Sequence, residues 1–140
     1  MKQYQVFALI SMAFAGLTSV VAKAGLQNVS SDTGLAVRTS FVFILIWANI
    51  SRFGNTSDFS KLTVADVCFL GISAITTTVS WIFYYRAIKI GNISEVALID
   101  KGSILITLLI SFIFLSEPFT WKVALGGTMV LGGILVLTLK

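Results

Sequence analysis

The sequence predicts an all-α fold, a polytopic membrane bundle of five transmembrane helices. Three observations predict it. Hydrophobic residues make up 56% of the 140 and charged residues only 11%, against the roughly 25% charged that a soluble domain needs to cover its surface. Mean hydropathy is +0.95. The charges also fall between apolar runs of about twenty residues, the length of a helix that spans a bilayer.

The first span is expected over Tyr4 to Ala24. The uncharged run from Gln3 to Ala22 exceeds the 7–15 residues of a signal-peptide h-region, so it reads as a span despite the Ala22-Lys23-Ala24 that follows. A polar turn over Gln27 to Asp32 comes next, with Ser31 or Asp32 as the cap of the second helix. The second span covers Thr33 to Ile50 and carries one charge, Arg38. Ser51 to Lys61 form the longest polar loop. The third span covers Ala65 to Tyr85 and is closed by Arg86, Lys89, Gly91 and Asn92. The fourth covers Ser94 to Leu115, with Asp100 and Lys101 inside it, and stops before Pro118, which disfavours helix at the preceding residue. The fifth covers Trp121 to Leu139. A membrane β-barrel needs alternating ten-residue segments, and these near-continuous apolar runs do not supply them. The whole chain, 1–140, is one domain.

Five spans place the termini on opposite sides. Counting Lys and Arg by flank puts Lys2, Arg52, Lys61 and Lys122 on the first side and Lys23, Arg86, Lys89 and Lys140 on the second. Arg38 and Lys101, set deeper, raise the second side to six. Orientation follows the Lys/Arg bias, and a bias this slight permits insertion both ways. The net charge of +4 is spread over helix ends and forms no nucleic-acid patch. Cys68 is alone and histidine is absent, so no disulfide, metal site or cofactor is expected, and Cys68 reads as a small apolar filler.

Charge inside a span is costly and marks a candidate site. Arg38 and Lys101 lie about six residues into their helices and either snorkel to the interface or serve a site. Asp100 reaches less far and needs an ion pair with Arg38 or Lys101, or a cavity. Asp100, Ser103, Thr107 and Ser111 fall within about 80° on one face. Ser73, Thr76, Thr77, Ser80 and Tyr84 form a second stripe with Trp81 and Tyr85 at its edge, and Arg38 shares a face with Asn49. Such stripes either line a hydrated cavity or bond neighbouring helices. The expected cavity residues are Arg38, Ser80, Trp81, Tyr84, Asp100, Lys101, Ser103 and Thr107. The fifth span instead carries Gly126 and Gly133 on one face and Ala124, Thr128 and Gly132 on another, and small residues let helices approach closely. It reads as a packing or dimerisation helix. No G-x-S-x-G, Walker A or H-E-x-x-H pattern occurs, so no enzyme is expected.

Three local sequences carry a family resemblance: Trp81-x-x-Tyr84-Tyr85-Arg86-Ala87-Ile88 with Gly91; Ala97-Leu98-Ile99-Asp100-Lys101; and Leu115-Ser116-Glu117-Pro118-Phe119-Thr120-Trp121 leading into the double-glycine helix. Together they resemble the EamA-like domain of the drug/metabolite transporter superfamily. The usual proline at the position of Leu98 is missing. Most members of that family join two five-helix repeats of opposite orientation, and this chain resembles one repeat. The resemblance implies a secondary transporter of a small polar metabolite in the inner membrane of a bacterium or archaeon. It implies an antiparallel homodimer or a heteropair with a similar repeat, in the inverted-repeat scheme of secondary transporters. Gly126 and Gly133 resemble the glycine pair that dimerises the four-span small multidrug transporters, but the first span lacks their acidic residue. The competing reading is a non-transporting membrane subunit that scaffolds a partner.

Overall fold

The computed structural model describes residues 2–54 and 56–138. Among them every regular element is helical: α1 (Gln3–Gly25), α2 (Ser31–Phe53), a 3-10 segment (Thr56–Lys61), α3 (Val64–Ile90), α4 (Ile93–Asp100), α5 (Ser103–Phe114) and α6 (Trp121–Thr138). Four stretches are long and apolar enough to cross a membrane: α1, α2, α3 and the combined Ile93–Phe114. The apolar part of α6, Trp121–Val136, is shorter. The expected last residue of that span, Leu139, and the flanking Lys140 lie outside the described residues. At most 6% of each long apolar window is buried, as helices must be whose side chains face lipid or other helices, their backbone bonds being satisfied internally. The chain divides into two compact units, one ending at Ile90 and the other beginning at Gly91.

In the first unit the directions of the helices follow from which residues meet. Tyr84 hydroxyl donates to Ser19 Oγ at 2.7 Å, and Lys23 Nζ donates to the Ile88 carbonyl at 2.9 Å. Both pairs are 65 residues apart, so α1 and α3 run parallel. Along α2 the partners on α3 descend: Asp32 meets Arg86 and Arg38 meets Trp81. Hence α2 is antiparallel to α3. The core sits where the ends of α1 and α3 meet the start of α2, around the buried Leu26, Leu35, Tyr85 and Ile88.

That junction explains two departures from the expected boundaries. The cap of α2 is Ser30, whose Oγ accepts from the Thr33 N–H at 3.1 Å. Ser31 and Asp32 therefore lie in the first turn, where an acidic side chain suits the helix dipole, and Asp32 is aligned with Arg86. The third helix continues past Tyr85 to Ile90. Its terminal cations have partners that keep the last turns helical: Arg86 Nη2 lies 3.2 Å from Asp32, and Lys89 Nζ donates to the carbonyls of Leu26 and Gln27. At its start, Thr63 and Asp66 cap reciprocally. The Thr63 N–H donates to Asp66 Oδ2 at 3.0 Å and the Asp66 N–H to Thr63 Oγ1 at 3.2 Å, which satisfies two amides that the helix leaves unpaired.

In the second unit the expected fourth span is not one continuous helix. It breaks at Lys101-Gly102, where the bonds tighten to the i→i−3 pattern: Gly102 to Ile99 at 2.9 Å, Ile104 to Lys101 at 3.1 Å and Leu105 to Gly102 at 3.0 Å. Glycine is the natural place for such a break, being about 1 kcal/mol poorer than alanine in a helix interior. A Cβ there would also approach Ile134 Cδ1 of α6 to 3.2 Å. After α5, Ser116 takes a left-handed φ of 52°, and the Glu117 N–H returns to the Ser111 carbonyl at 3.3 Å.

Candidate functional site

The deepest charge of the first unit is Arg38. It lies eight residues after the Ser30 cap, about 12 Å along the helix at 1.5 Å per residue. Its guanidinium carbon sits 4.5 Å from the centre of the Trp81 ring, a cation–π arrangement that counts for more where water is scarce. Its Nη1 is buried and has no hydrogen-bond partner among the described residues. The pairing of Arg38 with Trp81 joins two of the expected site residues.

Among the described residues, Arg38 is also the one charged residue lining an open groove of about 740 Å³ between α1 and α2. Phe14, Leu17 and Val21 of α1 face Val37, Phe41 and Leu45 of α2 across it, and Tyr85 of α3 contributes to its wall. The Thr18 hydroxyl in that wall donates to the Phe14 carbonyl at 2.8 Å. This volume lies within the roughly 300–1,000 Å³ of small-molecule pockets, which are mostly apolar with a few placed polar groups.

In the expected polar stripes the described hydrogen bonds of serine and threonine run along the helices themselves. Thr77 donates to the Ser73 carbonyl at 2.8 Å and Thr76 to the same oxygen at 2.9 Å. Thr107 donates to Ser103 at 3.0 Å, and the buried Ser111 to Thr107 at 2.5 Å. These hydroxyls donate to carbonyls of their own helices. Tyr84 reaches Ser19 of α1, and Ser80 lies exposed on α3. In the second unit Asp100 and Lys101 form an ion pair at 3.7 Å, beside the helix break. Gly126 and Gly133 are open: a Cβ at either meets nothing within 4 Å, whereas one at Gly127 meets Leu108 at 3.2 Å.

The sequence reading missed the α1 wall of the groove. Phe14, Leu17 and Val21 are indistinguishable from lipid-facing residues by type, and only the charge of Arg38 opposite them marks the place.

The profile of the EamA-like transporter family matches residues 3–139. The chain belongs to the EamA-like transporter family. This EamA-like chain is 34% identical over 136 residues to a Sinorhizobium protein named "Uncharacterized transporter in cobO 3'region". The match spans 97% of this chain and 96% of that protein. No solved structure matches. Members of the family are transporters rather than enzymes. With four apolar helical stretches of spanning length, the EamA-like chain is a multi-pass integral membrane protein.

Proposed function

We propose that this protein is a secondary transporter of a small metabolite bearing a carboxylate or phosphate, working as an antiparallel homodimer in the cytoplasmic membrane of a bacterium or archaeon. The observation that carries the reading is the extent of the family match. The EamA-like profile runs over residues 3–139, whose helices amount to one repeat. At 18 residues, α6 is about 27 Å long, close to the roughly 30 Å of the hydrocarbon core, and serves as the fifth span. Transporters built from inverted repeats bind substrate between the halves. One such repeat reaches that arrangement with a second copy in the opposite orientation, and the near-equal distribution of Lys and Arg on the two flanks supports that.

Arg38, Trp81 and Tyr84 of the first unit supply site residues, together with Ser80. Asp100, Lys101, Ser103 and Thr107 supply the second set, around the tightened turn at Lys101-Gly102. The open faces of Gly126 and Gly133 support a helix–helix contact between copies. The test is solute flux in liposomes holding the purified protein. Transport that falls in Asp100→Asn with Lys101→Gln is expected, and equal flux in wild type and variant would remove those residues from the site. Reporter fusions at the C-terminus are expected to be active on both sides of the membrane. Activity on one side alone favours a heteropair with another repeat protein.

A further inference from the structure

We propose that the connection between α2 and α3 lies in the headgroup layer of the bilayer, held there by the rings of Trp47, Phe53 and Phe59. The partner is the phospholipid surface itself, whatever solute the protein carries.

By residue type, Ser51 to Lys61 is the longest polar loop of the chain, and a polar loop would stand in water. Three observations place it elsewhere. First, α2 is long and apolar enough to cross a membrane, and Trp47 sits where its apolar run gives way to Asn49, Ser51 and Arg52. Tryptophan is enriched at that level of a membrane helix, where an apolar ring and a polar N–H each find their medium. Second, Phe59 belongs to the 3-10 segment Thr56–Lys61, after α2 has ended at Phe53. Its ring nevertheless stacks on Trp47, with centres 6.0 Å apart and planes 6° from parallel. Trp47 lies six residues before the end of the helix, about 9 Å at 1.5 Å per residue. The connection therefore folds back along the last turns of α2, toward the bilayer, instead of projecting from it. A headgroup layer is roughly 5–8 Å deep on each side, so a fold-back of this length reaches its lower boundary. Third, the apolar side chains here stay open in the folded chain: Phe53 is 77% exposed, Phe59 47% and Leu62 45%. Water would meet that apolar area at a cost, whereas the boundary between headgroups and acyl chains covers it, in continuity with the lipid around α2.

The charges suit the same depth. From Ser51 to Asp66 there are two cations, Arg52 and Lys61, and two carboxylates, Asp58 and Asp66. Lys61 pairs with Asp58 at 2.6 Å, Asp66 accepts from Thr63, and the Arg52 guanidinium lies 5.8 Å from the centre of the Phe53 ring. Because these charges cancel, the rings carry the attachment and anionic lipid is not required.

The test reads a single tryptophan in the full chain in phosphatidylcholine vesicles. Phe59→Trp is combined with Trp47→Phe, Trp81→Phe and Trp121→Phe, which keeps a ring at 47 for residue 59 to stack on. Phosphatidylcholine brominated near the top of its acyl chains is expected to quench this fluorophore at least twofold, and more than lipid brominated near the chain ends. Aqueous iodide is expected to quench it less than half as well as it quenches free tryptophan amide. Adding phosphatidylglycerol is expected to change neither result, and adding Phe53→Ser is expected to raise iodide quenching at least twofold. Leu62→Trp, with Phe59 left in place, reads the same connection if Phe59→Trp fails to elute as a folded species. Strong iodide quenching without quenching by brominated lipid puts the connection in water and overturns the proposal. Shielding from both quenchers means that protein covers this face, a second copy included, and overturns it too. Quenching by brominated lipid that appears only with phosphatidylglycerol, or that is indifferent to Phe53→Ser, removes the rings as the anchor.

Discussion

Lys23 Nζ donates to the carbonyl of Ile88 at 2.9 Å, tying the last turn of α1 to the last turn of α3. Lys89, one residue beyond Ile88, returns the favour by donating to the carbonyls of Leu26 and Gln27, just past the end of α1. Each lysine thus satisfies carbonyls that the other helix leaves without an intrahelical donor, and each sits where the helix dipole favours a cation. Lys23→Met and Lys89→Met are each expected to lower stability by about 1.5–3 kcal/mol, the range for hydrogen bonds to a charged group after solvent competition. The double variant is expected to cost less than the sum of the two, because the pairs share one junction. Denaturant titration followed by helical circular dichroism measures all three.

Beneath that junction Leu26 is 2% exposed, and a Cβ on Gly34 would overlap its Cδ2. The start of α2 therefore packs against the end of α1 through a glycine that leaves room for a leucine. Gly34→Val is expected to destabilise by about 1–3 kcal/mol, as overpacking does. Leu26→Ala, costly by itself, is expected to cost less in the Gly34→Val background. Thermal unfolding of the four proteins tests this. Strict additivity would place the two residues out of contact.

The ion pair between Arg86 and Asp32 joins the same elements but is of another kind. Its side chains are 54% and 61% exposed, and pairs so exposed contribute roughly 0–1 kcal/mol. Asp32→Asn is expected to shift stability by less than Gly34→Val does, and its effect is expected to shrink as salt is raised from low to high concentration. A loss larger than that of either lysine variant would contradict this ranking.

Much of the bundle was legible because charges in an apolar chain can sit only near helix ends or at special sites. The limits of α1 and the start of α3 follow from that, whereas α2 begins before the expected Thr33 and runs past the expected Ile50 to Phe53. The end of α3 did not, since Arg86 and Lys89 look like loop residues until Asp32 and the carbonyls of Leu26 and Gln27 are brought beside them. The stripes on α3 and α5 were legible as spacing, but whether a threonine faces water or its own carbonyl four residues back is a rotamer choice that spacing does not encode. Arg38 and Trp81 were both singled out by residue type and place in the sequence. Their stacking was not, because it depends on the antiparallel register of α2 and α3.

After α5, Ser116 holds φ at 52°, the left-handed region where a side chain costs roughly 1–2 kcal/mol and glycine costs little. The preceding turn keeps it there: the Leu115 and Glu117 N–H groups both reach the Ser111 carbonyl, at 3.0 and 3.3 Å. Ser116→Gly is expected to raise stability by about 0.5–1 kcal/mol, part of the relief being offset by glycine's extra freedom when unfolded. A lower melting temperature in Ser116→Gly would show that the serine hydroxyl contributes more than its backbone costs.

Gly102 sets two opposing effects against each other. Alanine is about 1 kcal/mol better than glycine inside a helix, so a continuous fourth span would be strengthened by Gly102→Ala. In the observed break, however, the new Cβ would lie 2.9 Å from the Ile99 carbonyl oxygen and 3.2 Å from Ile134 Cδ1. The first neighbour is backbone and cannot rotate away, so the break itself must change. Gly102→Ala is therefore expected to destabilise the second unit, and Gly102→Val more so, despite the gain in helix propensity. The Asp100–Lys101 pair, immediately before the glycine, is expected to shift with the backbone, so solute flux should fall more steeply than stability does. The comparison is flux per folded protein in Gly102→Ala against a control at Gly71 of α3, where a Cβ meets nothing within 4 Å. If Gly102→Ala stabilises the protein and leaves flux unchanged, a straight helix is compatible with function, and the break is dispensable.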